Sequence, residues 1–254
     1  MLSRLREMWR MRSEREDLYA RAAFWNYKAD TYSGTAVSMF INRTLNDHFQ
    51  RDQFAFFDER LGNVSGLSIL DVGCGTGRLS RHLGRQGAQV HAFDFAEKAV
   101  DIARKESEGL PVEYRIRSVF EVDEVARYDV VTVLGCLTVA CRSREAFSDV
   151  MGRLHRSLKP GGRLVMLEPF HANFLHRVLK LAPREVLDIV QQAGFSIDTI
   201  KPMHFWPTRL VLTVGETPKW ITNTLYPLGE VFLKLTPRAF NLGDYTAISA
   251  RREQ

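Results

Sequence analysis

The residues best suited to chemistry begin in ILDVGCGTGRLS (69–80), where Asp71 closes an apolar run and Gly73, Gly75 and Gly77 follow at alternate positions. Glycines let a backbone approach a ligand without a Cβ clash and take positive φ. Asp94 ends the next apolar run, QVHAFDF (89–95), where a carboxylate could accept hydrogen bonds from a ribose diol. Farther on, EPFHANF carries His171, whose imidazole, with an ordinary pKa of about 6.5, could take a hydroxyl proton near neutrality. His176 and His204 are further imidazoles. Tyr27 and Tyr32, in the aromatic segment FWNYKADTYSGTAVSMF (24–40), offer phenols that could orient a reacting molecule.

These residues need a scaffold, and the chain is large enough to supply one. Its 254 residues, 45% apolar, suffice for one good-sized core or a core with a small cap. A net charge of +5 is too mild for a dedicated nucleic-acid binder but suits anionic substrates or an anionic membrane surface. Cys74, Cys136 and Cys141 form neither a zinc pattern nor a CxxC pair, which points to reduced thiols in a cytoplasmic enzyme. No uncharged run approaches the roughly 20 residues of a spanning helix. Residues 1–60 are helical in character. The opening MLSRLREMWRMRSEREDL reads as a solvated helix or as one resting on a membrane or partner.

From residue 67 the pattern alternates. LSILDV, QVHAFDF, PVEYRIRSV (111–119), YDVVTVLG (128–135) and LKPGGRLVMLEP (158–169) read as strands, with helical segments between them. Alternation of this kind implies right-handed βαβ units and a mostly parallel, doubly covered sheet. A helix over 183–195 and a strand from SIDTIKPM follow. About forty aromatic- and proline-rich residues (204–243) read as a cap inserted before a last strand, DYTAISARR.

The loop spacing separates two ligand classes. A dinucleotide site has GxGxxG, its third glycine packing near a pyrophosphate. Here the pattern is GxGxG, and Arg78 stands where that third glycine would be. S-adenosylmethionine has no pyrophosphate, and Asp71 suits its cationic end. ILDVGCGTG followed by VHAFDFA resembles motif I and its successor in class I S-adenosylmethionine-dependent methyltransferases. LKPGGRLVMLEP resembles that family's motif running into its fifth strand, and the similarity spans about residues 60–200. The resemblance implies an α/β fold with a Rossmann-like, doubly wound, seven-stranded sheet whose last strand is antiparallel. On this frame residues 1–60 form an N-terminal helical lid, 61–254 the methyltransferase domain, and 204–243 its cap. The resemblance also places Gly73, Cys74, Gly75 and Gly77 along the cofactor, Asp94 on the ribose and Phe95 against the adenine. Ser118 stands where many members have an adenine-binding Asp, with Val119 beside it, and Leu134 and Gly135 would contact the methionine portion.

The acceptor is narrowed by exclusion. Base-methylating enzymes often carry [DN]PP[YF] after the fourth strand, where this chain has LGCL. Glu168 and Asn173 lack a second carboxylate for a metal, so no metal is expected. A small organic or lipid-like acceptor remains, with O-methylation first, His171 as base and Tyr32 as an orienting phenol. N- or C-methylation by proximity is the alternative within the family, and a non-catalytic cofactor-binding subunit the alternative outside it. Peripheral membrane contact through the aromatic cap is the second reading of 204–243, and the oligomeric state is left open.

Overall fold

The expected alternation is present in a seven-stranded sheet: β1 (Ser68–Val72), β2 (Gln89–Asp94), β3 (Val112–Ile116), β4 (Tyr128–Leu134), β5 (Leu158–Glu168), β6 (Phe195–Phe205) and β7 (Gly243–Arg252). The computed structural model describes residues 19, 21–37, 39–171, 179–213, 217–236 and 242–253. The opening amphipathic stretch, Asn173, His176, Arg238 and Phe240 lie outside the described residues. The strand order is β3-β2-β1-β4-β5-β7-β6. β1 to β5 pair parallel, and β7 lies antiparallel to both β5 and β6. The order reverses between β1 and β4, and open α/β sheets bind ligands beyond the carboxyl ends of strands at such a point.

Nine helices complete the described residues: α1 (Ala22–Thr31), α2 (Arg43–Leu61), α3 (Arg78–Arg85), α4 (Glu97–Glu106), α5 (Leu137–Ala140), α6 (Arg144–Ser157), α7 (Pro183–Gln192), α8 (Trp206–Leu212) and α9 (Lys219–Leu235). One face of the sheet buries Phe147, Val150 and Leu154 of α6 with Val186, Ile189 and Val190 of α7. The other buries Phe56, Phe57 and Leu61 of α2, Leu79 and Leu83 of α3, and Val100 and Ala103 of α4. The central strand β4 is buried on both sides, as a parallel strand covered twice must be. α2 is held at its start by Asn42, whose side chain accepts from the Leu45 amide, and stops at Gly62, where φ is +64°.

Two boundaries that bear on the site differ from the sequence reading. The strand expected over 111–119 ends at Ile116. Ser118 Oγ accepts from the Phe120 amide while Glu121 accepts from the Ser118 amide, and this reciprocal cap turns the chain into a 3-10 turn (Val119–Glu121). His204 belongs to β6 and does not open the insertion. Between β6 and β7 lie the two helices α8 and α9. Leu212 and Tyr226 from these helices pack with Leu45 and Phe49 of α2 in a third apolar cluster.

Candidate active site

A cavity of about 220 Å³ opens beyond the carboxyl ends of the central strands. It runs from Phe95, Ser118 and Val119 on the β3 side, past Asp71, Gly73 and Gly135, to Gln53 and Tyr245 on the β7 side. Trp25 of α1, together with Val37 and Met39 of the turn before α2, adds an apolar wall.

Asp71 is 1% exposed and accepts hydrogen bonds from Ser80 Oγ at 2.5 Å and Thr132 Oγ1 at 2.9 Å. Burial pushes its carboxyl up to about 6, against the pull of those two donors. A cation arriving beside it would restore the ionised form. Asp94 is also buried, and burial raises its pKa. Its two oxygens accept the Ala96 and Gly75 amides, each at 2.9 Å. A carboxylate has about four acceptor positions, so it can also take donors from a ribose diol.

The glycines of the loop do different work. A Cβ on Gly73 would lie 2.4 Å from Cys136 Cβ, so the loop can follow its path against β4 only without one. Gly75, at φ +54°, has open space where a Cβ would be and gives its amide to Asp94. Gly77, assigned to the cofactor by resemblance, does not border the cavity. At φ +75° it precedes α3, where a Cβ would stand 2.3 Å from Tyr114 Oη.

Cys74, Phe95, Ser118, Val119, Leu134 and Gly135 all border the cavity, as do Asp71, Gly73, Gly75 and Asp94. The structure therefore brings together the residues carried over from the family motifs, Gly77 excepted. Ser118 Oγ already accepts from Phe120, and a hydroxyl oxygen keeps one further acceptor position. The Cys136 thiol donates to the Val72 carbonyl at 3.2 Å, and burial raises its pKa well above the usual value, which keeps it protonated and unsuited to nucleophilic attack.

The two residues assigned to catalysis stand elsewhere. His171 is 1% exposed and does not border the cavity. Tyr32 ends α1 with 38% of its surface exposed, and Tyr27 is 63% exposed; neither phenol borders the cavity. The aromatic segment contributes Trp25 in their place, because α1 turns that indole inward.

Three residues take places in the structure that the sequence reading did not give them. Arg78 borders the cavity and donates to Gln50 Oε1 at 2.8 Å; burial lowers its pKa to about 10, so it stays a cation. Gln53 borders the cavity from α2. Glu168, fully buried at the end of β5, accepts from the amides of Cys136, Leu137 and Thr138 and from Thr138 Oγ1, at 2.7–3.1 Å. It thereby fixes the loop that carries Gly135. The sequence marked Arg78 only by its place after the glycine loop and Glu168 only as a rejected metal ligand, and nothing local marks Gln53. No group of three or more His, Cys, Asp or Glu among the described residues could hold a metal ion.

A family of proteins described as a methyltransferase domain matches residues 69–162. The ubiquinone biosynthesis O-methyltransferase of Bordetella parapertussis is 40% identical, with the match covering 64% of this chain and 76% of that protein. The protein of the same name from Xylella fastidiosa (strain M23) is 30% identical, covering 65% and 76%. Among solved structures, magnesium protoporphyrin IX methyltransferase from Synechocystis, with bound S-adenosylmethionine, superposes with a TM-score of 0.60 at 20% identity, covering 95% of this chain and 97% of that one. A S-adenosylmethionine dependent methyltransferase from Mesorhizobium loti gives 0.59 at 19% identity, covering 79% and 97%.

Proposed function

The chain belongs to the class I S-adenosylmethionine-dependent methyltransferases, and on that premise we propose that it methylates a hydroxyl group of a small organic or lipid-like molecule. The observation that carries the acceptor class is that apolar Trp25, Val37 and Met39 line the same cavity as the strand-end carboxylates. Two relatives named as O-methyltransferases support the choice of oxygen.

Bound S-adenosylmethionine supplies a methyl group already activated on a sulfonium. The residues here have to hold, orient and dry it. In this reading Asp94 takes the ribose hydroxyls, Phe95, Ser118 and Val119 enclose the adenine, and Asp71 with the Gly73, Cys74 and Gly75 loop receives the cationic end. Leu134 and Gly135 floor the methionine portion, and Arg78 meets its carboxylate. α1 and the turn after it serve as the lid of the 1–60 segment over a domain spanning 61–254. In this reading His171 is not the base and Tyr32 does not orient the acceptor, since both stand outside the cavity; orientation carries the transfer, and the hydroxyl proton is released to solvent as the sulfonium becomes a thioether.

The same reading places the insertion (204–243) against a lipid surface. The exposed face of α9 carries Trp220, Leu228, Val231, Phe232 and Leu235, and its only exposed charges are Lys219 and Lys234. No helix among the described residues is long and apolar enough to cross a membrane, so the contact would be peripheral.

Calorimetry tests the core of the proposal. S-adenosylmethionine and S-adenosylhomocysteine should bind, and Asp94→Ala should weaken both by about a hundredfold through loss of charge-assisted hydrogen bonds. Binding of NAD in their place would refute it. Release of S-adenosylhomocysteine should be followed with a panel of phenols and long-chain alcohols. His171→Ala should leave turnover and its pH profile within about twofold of the unaltered chain, whereas loss of a general base would cost a hundredfold or more.

A further inference from the structure

One buried polar atom of a residue that borders the cavity is left over by these assignments. Gln53 is 2% exposed, and its Oε1 has no hydrogen-bond partner among the described residues. Native structures rarely leave such an atom unpaired, because its desolvation is uncompensated.

The other end of the same amide is accounted for. Gln53 Nε2 lies 3.4 Å from Nε2 of His204, which is fully buried near the end of β6. His204 Nδ1 is 2.9 Å from Tyr226 Oη of α9, and that phenol donates to Asp52 Oδ2 at 2.8 Å. The proton order along this chain follows from what each group can give. An ionised carboxylate only accepts, so the phenol proton goes to Asp52. The phenol oxygen then receives the proton of His204 Nδ1, which leaves Nε2 with a bare lone pair. Only the NH₂ of Gln53 answers it, and Oε1 is turned away from the imidazole.

The ring is held firmly for this purpose. It stacks on Phe49 with centroids 3.8 Å apart and meets the edge of Tyr245 at 5.4 Å. Burial lowers its pKa to about 3, so it stays neutral. His204 also sits at φ +60°, a conformation that strains a residue with a side chain and that persists only where the surroundings impose it.

The location separates Gln53 from the groups assigned to the adenine. Phe95 and Ser118 lie toward β3, whereas Gln53 and Tyr245 of β7 border the cavity toward the other side of the sheet. We propose that Gln53 Oε1 accepts a hydrogen bond from a neutral hydroxyl or N–H donor on the methyl-accepting molecule, and that Asp52, Tyr226 and His204 are positioning residues that fix the amide in this sense. The acceptor is thus an uncharged donor-bearing molecule, and a carboxylate at that point is repelled. The assignment rests on the methyltransferase reading for what fills the cavity.

The test uses the full chain labelled with ¹⁵N-histidine and saturated with S-adenosylhomocysteine. Two-bond ¹H–¹⁵N spectra should show His204 protonated on Nδ1. In Tyr226→Phe, where Nδ1 loses its acceptor, the proton should move to Nε2 and take Gln53 Oε1. An Nε2 proton in the unaltered chain overturns the proposal, and this result stands even where a variant fails to fold. Phenol should then bind roughly fivefold more tightly than anisole, which lacks the donor. Gln53→Leu should erase that preference while S-adenosylhomocysteine affinity stays within twofold. Equal binding of the two probes to the unaltered chain overturns the proposal, as does a preference that survives Gln53→Leu. A collapse of S-adenosylhomocysteine affinity in Gln53→Leu would place Oε1 on the cofactor and overturn it too. Failure of the unaltered chain to bind S-adenosylhomocysteine would instead defeat the methyltransferase reading, with the histidine tautomer measured separately on the free protein.

Discussion

Asp71 and Gly77 lie six residues apart in one motif and carry different consequences. Burial raises the Asp71 carboxyl to about 6. Between its unfolded value near 3.8 and 6, the folded chain keeps a proton that the unfolded chain releases, so this group's contribution to stability falls as pH rises through that window. An ammonium beside it favours the ionised form. Affinity for S-adenosylhomocysteine should therefore rise about tenfold from pH 5 to pH 7, with proton release near pH 6. Titration calorimetry in buffers of different ionisation enthalpy measures both. Asp71→Asn should flatten the dependence, which separates Asp71 from Asp244, another buried carboxyl raised to about 6. Gly77→Ala acts on folding. Its Cβ would collide with Tyr114 Oη, which is held by Ser107 at 2.8 Å, in a left-handed backbone. The loss should be about 3 kcal/mol, or a fall in Tm of roughly 6–12 °C by calorimetry. The sequence displays the three glycines as one pattern. It does not reveal that one of them answers to a tyrosine on β3, because that contact joins residues 37 apart.

At the scale of elements, α9 shows what periodicity can and cannot disclose. Its apolar residues were visible in the sequence as an aromatic- and proline-rich insertion. Their division between two faces was not. Tyr226 and Leu233 turn inward, while Trp220, Leu228, Val231 and Leu235 form an outward stripe at helical spacing. An apolar face flanked by lysines is suited to the boundary of an anionic bilayer. The chain should co-sediment with vesicles containing phosphatidylglycerol more than with purely zwitterionic ones. Trp220→Ala combined with Leu235→Ala should reduce that binding about tenfold or more, given the area each side chain buries. Absence of co-sedimentation with either vesicle would refute the contact. α1 teaches the opposite lesson. Tyr27 and Tyr32 had the more reactive side chains, yet Trp25 borders the cavity, since a ten-residue helix with a weak apolar bias does not announce its inward face.

For the whole molecule, the parallel strands β1 to β5 agree with the alternating segments, and the seventh, antiparallel strand agrees with what the family resemblance implied. That success has a physical basis, since buried parallel strands and their glycine-ended helices are local signals. The end of the cavity that we propose for the acceptor draws on α1, α2, β6, β7 and α9, which meet only in the folded chain, and its chemistry was correspondingly hidden. Because the cavity exists only when these elements are assembled, a ligand in it should stabilise the fold as a unit. S-adenosylhomocysteine at a hundred times its Kd should add about 2.7 kcal/mol and raise Tm by roughly 5–10 °C in a single cooperative transition.

The grip of Glu168 on residues 136–138 has a consequence for anyone redesigning this cavity. The shape of the loop after β4 is written partly in another strand, some thirty positions downstream. Transplanting that loop from a relative without its matching carboxylate would leave three buried amides facing nothing, and replacing Glu168 alone would strand the same three. Glu168 should therefore persist wherever the chain keeps this turn after β4, while positions 136 and 137, which offer it only backbone amides, can take any residue but proline.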